Sequence, residues 1–189
     1  FSLTSGGTAI TSLIISDGNS SAQFYYYDET AGTWTITASA TGLTSATQNI
    51  TVNPGVATQF VITLPGETFE NGKGNTGTPL TQTAGVQFQI KVRFCDAYFN
   101  VDTSWNGSYT LTFSGPGQAP DGTNPEFQGD NTSPYSPIIS FTNGVSENIN
   151  VILYKAESVK IHVDSAPYSG DSSTLIVNGG PLNYFAMQF

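Results

Sequence analysis

The sequence predicts an all-β protein made of antiparallel sandwich domains. Three observations carry that expectation. No segment repeats its apolar residues at the 3.6-residue period of a helix. Many short runs alternate apolar and polar residues and are bounded by Gly, Pro, Asn and Asp. The alternation also recurs at a fixed distance along the chain without losing phase, which is the mark of tandem domains.

The runs follow one another in order. SLIIS (12–16), AQFYYYD (22–28), TWTITAS (33–39) and QNITVN (48–53) come first, and QFVITL (59–64) opens the next group. VQFQIKVRF (86–94) is the clearest, with Val86, Phe88, Ile90, Val92 and Phe94 on one face and Gln87, Gln89, Lys91 and Arg93 on the other. Such alternation marks a strand with one face in a core and one in water. SYTLTF (108–113), IISFT (138–142), ENINVILY (147–154) and VKIHV (159–163) complete the set. Two stretches break the rhythm and read as long surface loops: 65–84, rich in Gly and Thr, and 115–137, rich in Pro, Gly and Asn.

Composition narrows the function. Hydrophobic residues make up 38% and aromatic residues 12% of the 189 positions, enough for a packed core. Only 10% are charged, against about 25% in an average soluble domain. The polar surface is therefore mostly Thr, Ser, Asn, Gln and Gly, a habit of extracellular β-proteins. The net charge is −9, and the basic residues Lys73, Lys91, Arg93, Lys155 and Lys160 are scattered. Nucleic-acid binding and attraction to an anionic membrane are disfavoured. No run reaches the roughly 18 apolar residues of a membrane span. Cys95 is the single cysteine, so no internal disulfide forms, and its place after an alternating run reads as a buried small hydrophobe.

The repeat emerges when ITVNPGVATQFVI (50–62) is laid over LIVNGGPLNYFAM (175–187). Val52 meets Val177, Asn53 meets Asn178, Gly55 meets Gly180 and Phe60 meets Phe185. Upstream, Ile36 meets Ile161 and Ala31 meets Ala156, all at an offset of 125 residues. The expected division is a partial domain over 1–53 lacking its opening strands, a complete domain over 54–179, and the first strand of a further repeat over 180–189. The chain opens on Phe1, which reads as the start of a mature or excised piece.

The stretch FYYYDETAGTWTITASATGLTSATQNITVNPG (24–55) resembles the closing half of the bacterial immunoglobulin-like repeats of large surface proteins and adhesins. FQIKVRFCDAYFNVDTSWNGSYTLTFSG (88–115) is similar to their middle segment, with Asp96, Tyr98 and Asn100 matching and Phe99 standing where the family carries Gly. The resemblance implies immunoglobulin-like sandwiches without enzymatic activity, displayed at the cell surface or outside the cell.

Candidate chemistry is sparse. His162, the only histidine, lies between Ile161 and Val163 and so faces away from their core. Acyl-transfer chemistry would need a Ser or Cys and an orienting acid converging on it. The acidic residues fall in two close pairs, Asp28 with Glu29 and Glu67 with Glu70, and a group of three, Asp121, Glu126 and Asp130, but a glycosidase needs two carboxyls facing across a cleft. Asp121, Asn124, Glu126 and Asp130 in DGTNPEFQGDN form a candidate calcium loop, since calcium takes six to eight oxygens. Turn-forming Asp and Asn account for the same letters. Asn19, Asn49, Asn106 and Asn131 begin N-x-S/T sequons and are candidate glycosylation positions. Trp34, Trp105, Tyr25, Tyr27 and Tyr135 could stack on a sugar, although Trp34 is in phase with Ile36 and reads as core. Tyr25 and Tyr27 alternate with Phe24 and Tyr26, and a strand apolar on both faces suits a contact between domains or subunits.

These readings converge on a structural role. Residues 180–189 form an orphan strand, with Tyr184, Phe185, Met187 and Phe189 as its contact residues. The expectation is that this strand completes the 1–53 domain of a neighbour. The partner is another copy in a head-to-tail polymer, or an adjacent repeat of one long chain. The alternative is an adhesin or carbohydrate-binding module that meets a glycan or host surface through loop 115–137. No cofactor other than calcium is expected.

Overall fold

A computed structural model describes residues 1–180 and divides the chain into two compact units, Phe1–Val52 and a second beginning at Asn53. No helix occurs among the described residues.

The first unit holds one antiparallel hairpin, β1 (Gly32–Ala38) with β2 (Ala46–Val52). The expected strands at 12–16 and 22–28 are not regular strands; the segment contributes only a bridge between Tyr25 and Ser2. Alternation predicts a strand only where a neighbour supplies ladder bonds, and here, among the described residues, only Ser2 does. Trp34 is 39% exposed, not core. Its phase with Ile36 is correct, but within this unit nothing packs on that face deeply enough to bury it.

The second unit carries the core. β3 (Gln59–Thr63) is followed by the hairpin β4 (Glu67–Glu70)–β5 (Gly74–Gly77), and then by the short β6 (Gln82–Thr83). The stretch 65–84 is therefore not a loop. Gly72, Gly74 and Gly77 take positive φ there and allow the chain to double back. β7 (Phe88–Cys95) is the central strand. Phe88, Ile90, Val92 and Phe94 are buried, as the alternation requires, while Val86 lies outside the strand and is exposed.

The remaining strands are β8 (Gly107–Thr110), β9 (Thr112–Ser114), β10 (Glu126–Phe127), β11 (Ile138–Thr142), β12 (Val145–Ser146) and β13 (Ile149–Ile152). β14 (Glu157–Val159), β15 (His162–Ser165), β16 (Tyr168–Asp171) and β17 (Leu175–Asn178) follow. One sheet runs β10-β13-β7-β12-β11-β8, with β3 also on β7. The opposite layer has two parts, β14-β17-β6 and β16-β15-β9.

This is the immunoglobulin-type order. β3, β7, β12–β13 and β11 stand as strands A, B, E and D; β9, β14–β15 and β17 stand as C, F and G. One pair departs from the antiparallel expectation, since β17 runs parallel to β6. Two strands switch partners midway. Leu111 separates β8 from β9, and Ile161 lies between β14 and β15; both are fully buried at the corners.

The core joins Ile62, Ile90, Val92, Leu111, Phe113, Ile139, Ile149, Val151, Ile161, Val163 and Leu175. Loop 115–137 also contributes to it. Phe127 is fully buried and stacks on Phe113 at 4.7 Å, with Tyr135 beside it at 5.6 Å. The expectation of a purely superficial loop fails because an apolar side chain inside a polar segment is still driven to bury itself.

Candidate functional site

The two units share a pairing register. In the first, Gly32 pairs with Val52, Thr33 with Thr51 and Trp34 with Ile50. In the second, Glu157 pairs with Val177, Ser158 with Ile176 and Val159 with Leu175. Each pair of the second unit is a pair of the first displaced by 125 residues. β1 and β2 thus stand where strands F and G stand in a complete sandwich.

Their surroundings differ. β17 is flanked by β6, and β15, which continues β14 past Ile161, is flanked by β9. Among the described residues, the β1–β2 sheet has only its own two strands. The buried Ile161, Leu175 and Val177 therefore have half-buried counterparts in Ile36, Ile50 and Val52.

A second correspondence lies upstream. The Ser2 amide donates to the Tyr25 carbonyl at 3.0 Å, and the Tyr25 amide donates to the Ser2 carbonyl at 2.8 Å. In the second unit, the Gln128 amide donates to the Asn150 carbonyl at 2.7 Å, and the Asn150 amide donates to Gln128 Oε1 at 2.8 Å. Residues 25 and 150 are again 125 apart, and each meets a flanking segment on one side. Their neighbours Ile149 and Val151 are buried and register with Ile90 and Phe88 of β7 on the other side. The equivalents, Phe24 and Tyr26, have no backbone hydrogen-bond partner among the described residues. Their rings meet Phe1, at 5.4 and 5.5 Å, and Phe24 remains 45% exposed. The Tyr26 hydroxyl donates to Asp28 Oδ2 at 2.6 Å, a bond that raises the phenol to about 12.

The residue types carry a signal for this edge: the same offset of 125 residues sets FYYY (24–27) over INVI (149–152).

The matched motif after β7 builds a buried clamp. Asp96 Oδ1 accepts the amides of Tyr98 and Asn100, both at 2.9 Å. Asp96 Oδ2 accepts the Gly55 amide at 2.7 Å and Asn100 Nδ2 at 3.0 Å. Burial pushes the Asp96 carboxyl up, but the bonds from Asn100, Gly55 and Tyr98 outweigh it and hold the group below the usual carboxylate range. Phe99 keeps the tight turn despite replacing Gly, at φ 63, with its ring over Gly74.

The other singled-out residues are dispersed. His162 Nδ1 lies 2.7 Å from Asp171 Oδ1, with Ser114 as its cross-strand neighbour on β9. No hydrogen bond joins Ser114 to His162 among the described residues, so the three form no relay. Asp28 binds Tyr26 and the Thr30 amide, Glu70 pairs with Lys73 at 2.6 Å, and Glu67 Oε2 accepts the Leu64 amide at 2.8 Å.

In the calcium loop, Asp121 Oδ1 accepts the Thr123 amide, and Asp130 accepts the amides of Thr132 and Ser136. Asn124 bonds Gln118 and the Asn131 carbonyl, and Glu126 sits on β10. Among the described residues, no three acidic, His or Cys side chains converge as a metal group would need.

Asn19, Asn49, Asn106 and Asn131 are all exposed. Asn49 Oδ1 accepts the Thr35 hydroxyl at 2.8 Å, and Asn106 Oδ1 accepts the Asn143 amide at 2.8 Å. Tyr135 is buried and Trp105 packs on Phe94 at 3.9 Å, so neither belongs to a surface platform. Tyr184, Phe185, Met187 and Phe189 lie outside the described residues.

No helix among the described residues is long and apolar enough to cross a membrane. No protein-family model matches the sequence, and no curated protein matches it. Among solved structures, the chain is similar to S-layer protein SbsC domains 4 and 5, with 13% identity over 78% of this chain and 66% of that one, at a TM-score of 0.33. It is also similar to surface layer protein SbsC domains 1–6, with 15% identity over 80% of this chain and 17% of that one, at a TM-score of 0.35.

Proposed function

We propose that this chain is a non-enzymatic structural component of an extracellular fibre or surface stalk, and that its units are joined head to tail by strand complementation. One observation carries the reading: the first unit forms a hairpin with no buried apolar core of its own. Phe1 is 50% exposed, Ile14 82%, Ile15 55% and Tyr27 72%. An uncovered apolar surface beside unpaired main chain favours addition of an extended strand.

Residues 181–189 carry a sequence of the right kind, because Phe185, Met187 and Phe189 recur at every second position, as the inward residues of a strand do. A segment leaving one molecule and entering a different surface of the next makes a contact that does not close, and such contacts build filaments. The sparse charge and the Thr-, Ser- and Asn-rich surface suit life outside the cell.

Electron microscopy of the purified chain tests the reading. Fibres are expected, and they disappear when residues 181–189 are deleted while the second unit keeps its folded fluorescence. Solitary particles of 20.0 kDa at high concentration refute it. The intact mass of native material then separates joined subunits from repeats of one longer polypeptide.

A further inference from the structure

We infer that residues 24–26 form the ladder edge that receives the strand, antiparallel, with Tyr26 opposite Phe185, Tyr25 opposite Ala186 and Phe24 opposite Met187 of a second copy. This rests on the fibre reading above and specifies where and in what register the joint is made.

Tyr25 spends both main-chain groups on Ser2, as Asn150 spends its own on Gln128. Ladder bonds alternate from one side of a strand to the other along its length. Phe24 and Tyr26 must therefore present their amides and carbonyls to the side away from Ser2. In the second unit that side is filled by β7, in the register Ile149 with Ile90, Asn150 with Gln89 and Val151 with Phe88. Displacement by 125 residues puts the same empty slot beside Phe24, Tyr25 and Tyr26.

The occupant follows from the shape of what β7 inserts. Phe88, Ile90 and Val92 enter the core while Gln89 faces out. Phe185, Met187 and Phe189 repeat that spacing, with Ala186 and Gln188 between them. Residues 184–189 include no charged side chain, so burying one face strands no ion. Within the repeat, residues 181–189 take the place of residues 56–64, which open a domain as β3 and pair there with β7 rather than with β13. In the fibre reading the slot of β7 is the one left open beside residues 24–26, and an opening segment from a second copy takes it. The outer edge of β2 is the weaker candidate, because its counterpart on β17 takes only the two residues of β6, and in parallel.

The test is disulfide trapping in the full-length chain carrying Tyr25→Cys and Ala186→Cys. Tyr25 is 52% exposed, so its replacement empties no core. The pair is of the non-hydrogen-bonded type, whose Cα separation of about 4.5 Å lies within disulfide reach. Cys95 is fully buried, with its thiol pushed up to about 12 by that burial, and stays out of the exchange.

Oxidation is expected to give non-reducing gel rungs at multiples of 20.0 kDa. The misaligned pair Tyr25→Cys with Met187→Cys should give about tenfold less, because its side chains diverge across the pleat. Unchanged Trp105 fluorescence verifies folding. A disulfide closed within one molecule overturns the second-copy assignment. Fibres that form normally yet give no 25–186 rungs overturn the edge and leave the fibre reading standing. Absence of both fibres and rungs removes the fibre reading, and this inference with it.

Discussion

Replacing Asp96 by Ala tests how the second unit holds its entry. The carboxylate accepts from the amides of Gly55, Tyr98 and Asn100 and from Asn100 Nδ2. They do not count equally. Gly55 and Tyr98 are exposed, so water replaces their lost acceptor. Asn100 is 2% exposed, and its backbone amide and Nδ2 would both lose the carboxylate as acceptor. Losing a hydrogen bond to a charged group costs a buried donor about 1–3 kcal/mol, so the substitution should destabilise the unit by about 2–5 kcal/mol. For a domain of this size that is a fall in Tm of roughly 6–20 °C.

The assay is urea and thermal unfolding followed by Trp105 fluorescence in a Trp34→Phe background, which silences the first unit. A pH series adds a second readout. The Asp96 carboxyl sits lower in the folded than in the unfolded chain. Its contribution is therefore complete above the unfolded value near 3.9 and is lost as pH falls through the folded value. The parent should lose stability across that acid range more steeply than Asp96→Ala. A loss below about 1 kcal/mol, or identical pH slopes, would refute the clamp as described.

Two further outcomes are expected. Phe127→Ala should cost about 3–5 kcal/mol in urea unfolding, while Asn131→Ala in the same loop should stay within about 0.5 kcal/mol. Gly170→Ala should destabilise by more than about 2 kcal/mol, because a Cβ there would collide with the Phe60 carbonyl oxygen. Gly122→Ala, at φ 87 in open space, should cost only about 1–2 kcal/mol for its left-handed backbone. Equal Tm shifts for the two glycine variants would contradict the close backbone approach at Gly170.

The sequence by itself determined the strand faces and the repeat. β7 alternates Phe88, Ile90, Val92 and Phe94 with polar residues because a pleated strand sends successive side chains to opposite sides, and that rule is local. The phase shared at a spacing of 125 residues is equally legible, since slipping one residue would turn every side chain to the wrong face. Only the tertiary structure decided what each face meets. Trp34 shares the register of Val159, yet it stays exposed because no strand covers it within its unit. Phe127 and Tyr135 sit among loop residues and are drawn inward by Phe113, which is distant in sequence. Leu111 and Ile161 look like mid-strand residues, and only the crossing of the two sheets makes them corners. The edge at Phe24 and Tyr26 is the same kind of fact: a main-chain vacancy depends on which partner is present, and that is a property of long-range pairing.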